Sequence, residues 1–564
     1  MKKIVVIIPL LTILFTYVSC KKDYLEVHEV KTYVTPDDLY SNYNYVQQAV
    51  WNIYSYLPDG FALLDYEAVT ENAESTNITW ASHTFNNGIW NQYNNPDGAW
   101  WRNFNGIRQA NLYLANKDKV NIDYIKGQIT SADSSALYNA RNNIKFMQGE
   151  AMFLKAFFYF DLVKRYGGVP IMRQPLNYED PATWKNVSRN TVDECIKYIV
   201  SLCDSAATII PSNLAPYSWY SQGRVTSGAI KTLKAKALLY AASPLFKDAG
   251  TTATWADAAS ALHDVIASNA YSLDANYANL FGANNAGSNE LIFYRRYGNT
   301  NTIEKGNFPI VFQNSEGNSI TPTQNFVDEF EVLQKDNNGN ITGARPFDWS
   351  NPTDAANPYA NRDPRMAATV VYNGTTFSST TIETFVGGNS GLPALKATKT
   401  GYYLSKWVNP SVDLVAGTST AHTWIYFRYG EILLDYAEAM YNAYGATADP
   451  QGYGMTALEA INRVRQRVNM PLLTAAQLNQ QSIEHERNVE LGFEDQRLWD
   501  VRRWKKGATY FNKPVNRIVI NKNGATYSYT VTKLENRVFE NKMAWYPIPQ
   551  DEITKTGWAQ NSGW

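Results

Sequence analysis

The chain is poor in the residues that usually announce chemistry. It holds three cysteines and five histidines in 564 residues, and its formal net charge is −1. The histidines (His28, His83, His263, His422, His485) are scattered and no C-x-x-C occurs, so nothing clusters like a transition-metal site. A near-neutral balance excludes the basic footprint of a nucleic-acid or anionic-membrane binder. There is no G-x-S-x-G elbow, no P-loop and no G-x-G-x-x-G after a strand. His485-Glu486 opens like a zinc-protease motif, but Val489 stands where the second histidine is needed. The one long apolar run, Ile4–Val18, contains Pro9 and is too short to span a bilayer comfortably.

That run is a targeting segment. Lys2-Lys3 precede it and Ser19-Cys20 close it, which resembles a bacterial lipobox with Cys20 as the lipidated mature N-terminus, although Tyr17 replaces the usual leucine. Residues 1–19 are therefore read as a lipoprotein signal peptide. Lys21-Lys22-Asp23 resembles the basic-acidic tag that follows the cysteine in many surface-exposed lipoproteins. The remaining Cys195 and Cys203 sit eight apart in a helical pattern, about 12 Å on one helix, too far for a disulfide. Both are expected to be buried free thiols.

What is abundant is aromatic: 38 Tyr, 23 Phe and 16 Trp, 14% of the chain. Much of it lies in Asn- and Gly-rich stretches rather than periodic runs, which favours a binding surface. Helical hairpins dominate the first half. Thr35-Pro36-Asp37-Asp38 predicts a helix running to about Tyr56, and a second spans about Trp100–Asn116. A long apolar helix follows, stopped by Gly167-Gly168. Capping boxes at Thr191-x-x-Glu194 and Thr456-x-x-Glu459 open two more. Successive antiparallel pairs of this size predict a mainly α, tetratricopeptide-like scaffold. Residues 20–270 form that helical region and residues 271–564 a second, packed with it as one globule. From about Tyr271 to His422 Asn, Gly, Thr and Ser accumulate, with short strands expected at Glu290–Tyr297 and beyond.

The densest charge lies in "IEHERNVELGFEDQRLWDVRRW" (Ile483–Trp504). Glu486 and Glu490 would share a helix face, as paired catalytic carboxylates do. The stronger reading is a structural lattice in which Glu486, Glu490 and Arg487 mesh with Arg497, Arg502 and Arg503 and with the arginines of "INRVRQRV", since buried charges need partners.

This stretch, with "RYGEILLDYAEA", "INRVRQR" and "WYPIPQDEI…WAQNSGW", resembles in order the C-terminal signature of the SusD/RagB family of outer-membrane nutrient-binding lipoproteins. "GEAMFLKAFFYFDLVKRYGGVPIM", "GRVTSGAIKTLKAKALLYAA", "NELIFYRRY" and "NRDPRM" (Asn361–Met366) agree, so the resemblance spans essentially the whole mature chain. It implies a helical fold with an irregular C-terminal half and anchoring by Cys20 at the cell surface. It also implies a SusC-like TonB-dependent transporter barrel as partner, a glycan as ligand and no catalysis. Within the family the RagB branch serves peptides, which keeps a peptide or another nutrient as an alternative; a glycoside hydrolase would need a carboxylate pair in an aromatic cleft. Sugar rings stack on aromatic faces while amides bind hydroxyls. Trp80, Trp90, Asn91, Tyr93 and Asn94 of the turn-rich loop Thr76–Trp101 are therefore the candidate ligand contacts. The resemblance adds Tyr294, Arg296 and Tyr297, whereas Trp100, Phe104 and Ile107 fall at core spacing. Loop Asp and Asn oxygens could hold a structural Ca2+, but no loop carries a recognisable ligand spacing.

Overall fold

A computed structural model describes residues 35–121, 134–177, 179–283, 285–317 and 320–564. The signal peptide and Cys20 lie outside the described residues. The longer helices are α1 (Tyr43–Ser55), α2 (Ala99–Asn116), α3 (Ser134–Tyr166), α4 (Val192–Ala207), α5 (Ser227–Ala242) and α6 (Trp255–Ile266), followed by α7 (Tyr429–Tyr444), α8 (Ala457–Arg467), α9 (Gln480–Leu491), α10 (Arg497–Arg503) and α11 (Gln550–Thr556). Each packs chiefly on its neighbours in sequence: α1 on α2, α2 on α3, α3 on α4, α4 on α5 and α5 on α6. The series continues from α6 to α7, and α7 then packs on α8 and α9. The expected tetratricopeptide-like scaffold is thus present, and it runs across the irregular stretch 267–428 instead of ending before it.

Local chemistry explains the element ends. Both expected capping boxes form, at Thr191 with Glu194 and at Thr456 with Glu459, and a third opens α6 through Thr254 and Asp257. Gly167 takes φ +71°, and its N–H closes α3 on the Val163 carbonyl at 3.0 Å. The helix expected from Thr35 to Tyr56 is two: Asn42 is extended, and its side chain accepts from the N–H groups of Asn44 and Tyr45. The amide of Asn42 competes with the backbone, which restarts the helix there.

Strand β1 (Leu291–Arg296) pairs antiparallel with β2 (Thr423–Arg428), which feeds straight into α7. The short strands foreseen after position 370 are present. In the tail, β3 (Val515–Asn523) and β4 (Thr526–Glu535) form a long hairpin around Gly524 at φ +64°. Cys195 and Cys203 are buried and unpaired. Among the described residues no helix is long and apolar enough to cross a membrane.

Candidate functional site

The charged stretch is a brace. Glu490 accepts from Arg365 at 3.0 Å, from Arg428 at 2.9 Å and from Arg467, and Glu486 accepts from Arg365 at 2.6 Å and Arg465 at 2.7 Å. All six side chains are buried. Burial alone would raise the Glu490 carboxyl, but Arg467, Arg428 and Arg365 together hold it far below the usual carboxylate range. Arg487 joins Asp435 and Asp500, and Arg503 joins Glu438 and Asp500. The expected lattice therefore exists with different partners. Arg497 reaches Glu71, and Arg502 makes no ion pair among the described residues. Its guanidinium lies 4.9 Å from the Tyr546 ring and about as near Trp499 and Phe539, at 5.7 Å. The "NRDPRM" turn now has a physical role. Asp363 orients Arg365, which bridges Glu486 and Glu490, while Arg362 donates to the carbonyls of Phe330, Pro358 and Val327. Carboxylates locked this way are unavailable for proton transfer.

An open groove of about 240 Å3 lies along α2. Trp101, Phe104, Asn105, Arg108 and Asn111 fall on one helical face and form its floor. Pro170 to Leu176 beyond α3 supply one flank, and Glu552 and Trp558 from the C-terminus the other. Trp100 and Ile107 are buried, as their spacing predicts, whereas Phe104 at the same spacing is only half-buried. Trp101, one residue round the helix, is 46% exposed, with the Lys555 ammonium 5.6 Å from its ring. Trp558 is held by its indole N–H on the Val187 carbonyl at 2.9 Å, and the Asn111 amide by the Met172 carbonyl at 2.9 Å. The arrangement offers flat apolar faces bordered by amide, guanidinium and carboxylate groups, a surface suited to an amphipathic polyhydroxyl ligand.

The residues singled out by sequence fall in separate places. Trp90 is 3% exposed and packs against Trp564 at 4.7 Å and against Phe85 and Tyr546 at 5.0 Å, so it is core and not a ligand platform. Asn91 spends its side-chain oxygen on the N–H groups of Tyr93 and Asn94, forming the turn that leaves Tyr93 77% exposed. That turn meets α11, where the Gln550 N–H donates to the Gln92 carbonyl at 3.1 Å. Trp80 is half-buried beside a short helix pinned by Ser82 to Asp65 at 2.6 Å. Tyr294, Arg296 and Tyr297 lie elsewhere, at the end of β1. The Tyr297 hydroxyl donates to Asp59 at 2.8 Å and accepts from Gly60 at 3.1 Å, its ring edge-on to Phe61 at 5.1 Å. Burial raises its phenol well above the ordinary range. Tyr294 is half-buried, and Arg296 is exposed. Sequence reasoning missed Trp101 and Trp558; the adjacent pair Trp100-Trp101, of which a helix can bury only one, was the available signal.

One trio among the described residues, Glu74, His83 and Glu535, brings potential metal ligands within 4.8 Å of one another. Arg537 already donates to Glu74 at 2.7 Å and Glu535 at 2.6 Å, and Lys399 stands 3.8 Å from Glu74. Burial pushes Glu74 up to about 7 despite those cations. The protein's own cations fill the place a metal would take.

Comparison with known proteins bears on the same geometry. The model of the SusD family matches residues 289–564, and a model described as starch-binding associating with outer membrane matches residues 23–239. A SusD-like protein, P25, of Formosa agariphila is 23% identical over 538 residues, covering 89% of this chain and 90% of the relative. A SusD-like protein of Bacteroides fragilis superposes with a TM-score of 0.76 at 24% identity, over 94% of this chain and 98% of that one. A SusD-like carbohydrate-binding protein of the same species gives 0.73 at 22%, over 92% and 98%.

Proposed function

The chain belongs to the SusD/RagB family, and from that premise we propose that it is a non-enzymatic glycan-binding lipoprotein of the outer-membrane surface. It is anchored through Cys20 and passes captured oligosaccharide to a SusC-like TonB-dependent transporter barrel, over which it acts as a lid. The observation that carries the ligand class is the α2 groove, where Trp101, Phe104 and Trp558 stand beside Asn105, Arg108 and Glu552. A pyranose stacked on Trp101 presents its hydroxyls to those polar side chains. Tyr93 and Asn94 extend this surface round α11. Tyr294, Arg296 and Tyr297 at the end of β1 would give a second contact surface, apart from both the groove and Trp80. Glu486, Glu490 and Asp500 of the charged stretch are committed to arginines, which supports capture without turnover.

A glycan array followed by calorimetry on the purified protein tests this. Oligosaccharide should bind without release of reducing ends. Trp101→Ala should weaken it at least tenfold. If Arg296→Ala with Tyr297→Ala weakens binding and Trp101→Ala does not, the ligand sits at the β1 end and not in the α2 groove. Newly formed reducing ends would overturn the non-enzymatic reading. The lid role requires co-purification with a barrel from native outer membranes.

A further inference from the structure

The helix that carries the charge lattice has a second face. Glu486, Arg487 and Glu490 of α9 point into the lattice described above, whereas Gln481, Glu484, His485 and Asn488, at i, i+3, i+4 and i+7, line a separate cleft of about 450 Å3. Charged side chains make up much of the rest of its lining. Residues 328–331 contribute Asp328, Glu329 and Glu331, the last paired with Arg465 of the same lining at 2.8 Å, and the segment from α10 to β3 contributes Arg497, Tyr510 and Lys513.

Several of these groups are left with bonding capacity. Arg497 places Nε and Nη2 on Glu71, and Nη1 has no protein acceptor among the described residues. Lys513 is exposed and meets only the Tyr510 ring, at 5.0 Å. Among the described residues the Glu329 carboxylate has no partner closer than His485 Nε2 at 3.8 Å. Asn488 is 3% exposed; its oxygen accepts from Asn72 at 2.8 Å, yet its amide nitrogen has no acceptor among the described residues. A buried donor left unmade costs about 1–3 kcal/mol, and it lines this cleft.

The lining also discriminates between ligand classes. The sole aromatic ring, Tyr510, is already covered by Arg497 at 4.3 Å and Lys513, so sugar stacking is not on offer. A simple cation or anion would satisfy groups of one sign and leave the other. We propose that this cleft binds a small zwitterion of amino-acid to dipeptide size, its carboxylate on Lys513 and Arg497 and its ammonium on Glu329 and Asp328. Charge-assisted bonds at both ends give a recognition that either charge alone lacks. Asp328 is held by Gln324 at 2.7 Å and Trp349 at 3.2 Å, and burial pushes its carboxyl up to about 6, a shift that an arriving ammonium would reverse. The site shares no residue with the α2 groove and stands or falls apart from the glycan reading.

The experiment is isothermal calorimetry on the purified protein at pH 7 with glycine, L-glutamine, L-glutamate and glycylglycine, and with acetate and ethylammonium as single-charge controls. At least one zwitterion should bind saturably, with each control at least tenfold weaker. Lys513→Met, at an exposed position, and Glu329→Gln, at a half-buried one, should each weaken that binding at least tenfold and leave the unfolding midpoint unchanged. The proposal is overturned if no zwitterion binds, if acetate or ethylammonium binds equally well, or if both variants bind like the parent.

Discussion

Replacing Glu490 by glutamine keeps the shape of the side chain and removes the charge on which Arg365, Arg428 and Arg467 converge. Those guanidiniums are buried and cannot turn to water, so the variant leaves positive charge uncompensated. Removing one partner of a buried pair costs about 3–5 kcal/mol. An unfolding entropy of about 2 cal/mol/K per residue over 564 residues amounts to about 1.2 kcal/mol/K, so the midpoint should fall by about 3–4 °C. Differential scanning calorimetry at pH 7 reads this directly, with Asp248→Asn as control because its bridge to Lys505 is exposed and worth under about 1 kcal/mol. The pH dependence follows from the sign of the shift. Because the folded-state pKa of Glu490 is depressed, its stabilisation is fully present above the unfolded value of about 4.3 and is lost as pH falls through the folded value. The difference between parent and variant should therefore be flat from pH 5 to 8 and shrink below about pH 4. A midpoint within 1 °C of the parent, or a difference that grows on acidification, would refute the lattice as a stabilising element. Loss of glycan binding with an unchanged midpoint would instead return Glu490 to a functional role.

Three other expectations are open to measurement. Trp90→Ala should cost about 3–5 kcal/mol as a large-to-small core change while leaving glycan affinity intact; an affinity loss without destabilisation would restore Trp90 to the ligand surface. Gly106→Ala places a Cβ 2.5 Å from the Phe158 ring and should cost about 1–3 kcal/mol by overpacking α2 against α3, seen as a lower denaturation midpoint. Burial pushes the Cys195 thiol up to about 11 and raises Cys203 further, so a thiol-reactive dye should label neither in the native protein and both in denaturant.

Helix ends were legible where their determinants are local. Thr191, Thr456 and Gly167 each act within four residues of themselves, and each did what its neighbours predict. Asn42 was misjudged because an amide inside a helical pattern can cap or be tolerated, and tertiary context decides. The ligand surface was harder, since exposure of an aromatic depends on distant chain. Trp90 is buried by Tyr546 and Trp564, more than 450 residues later, and no local pattern announces them. Likewise the lattice was foreseeable from composition, but its bridging arginine, Arg365, comes from a turn some 120 residues upstream.

The direct packing of α6 on α7 has a consequence for how the protein can vary. Residues 267–428 leave and rejoin the helical stack at one joint, so they form a detour whose closure entropy rises only logarithmically with length. Doubling those roughly 160 residues would cost only about 0.6 kcal/mol in closure, little beside a single buried ion pair. The stack is therefore nearly indifferent to the size of what is threaded through that joint. The detour could be lengthened or trimmed for a new ligand while the helices on either side continue to meet, provided it still returns Arg365 and Arg428 to the lattice.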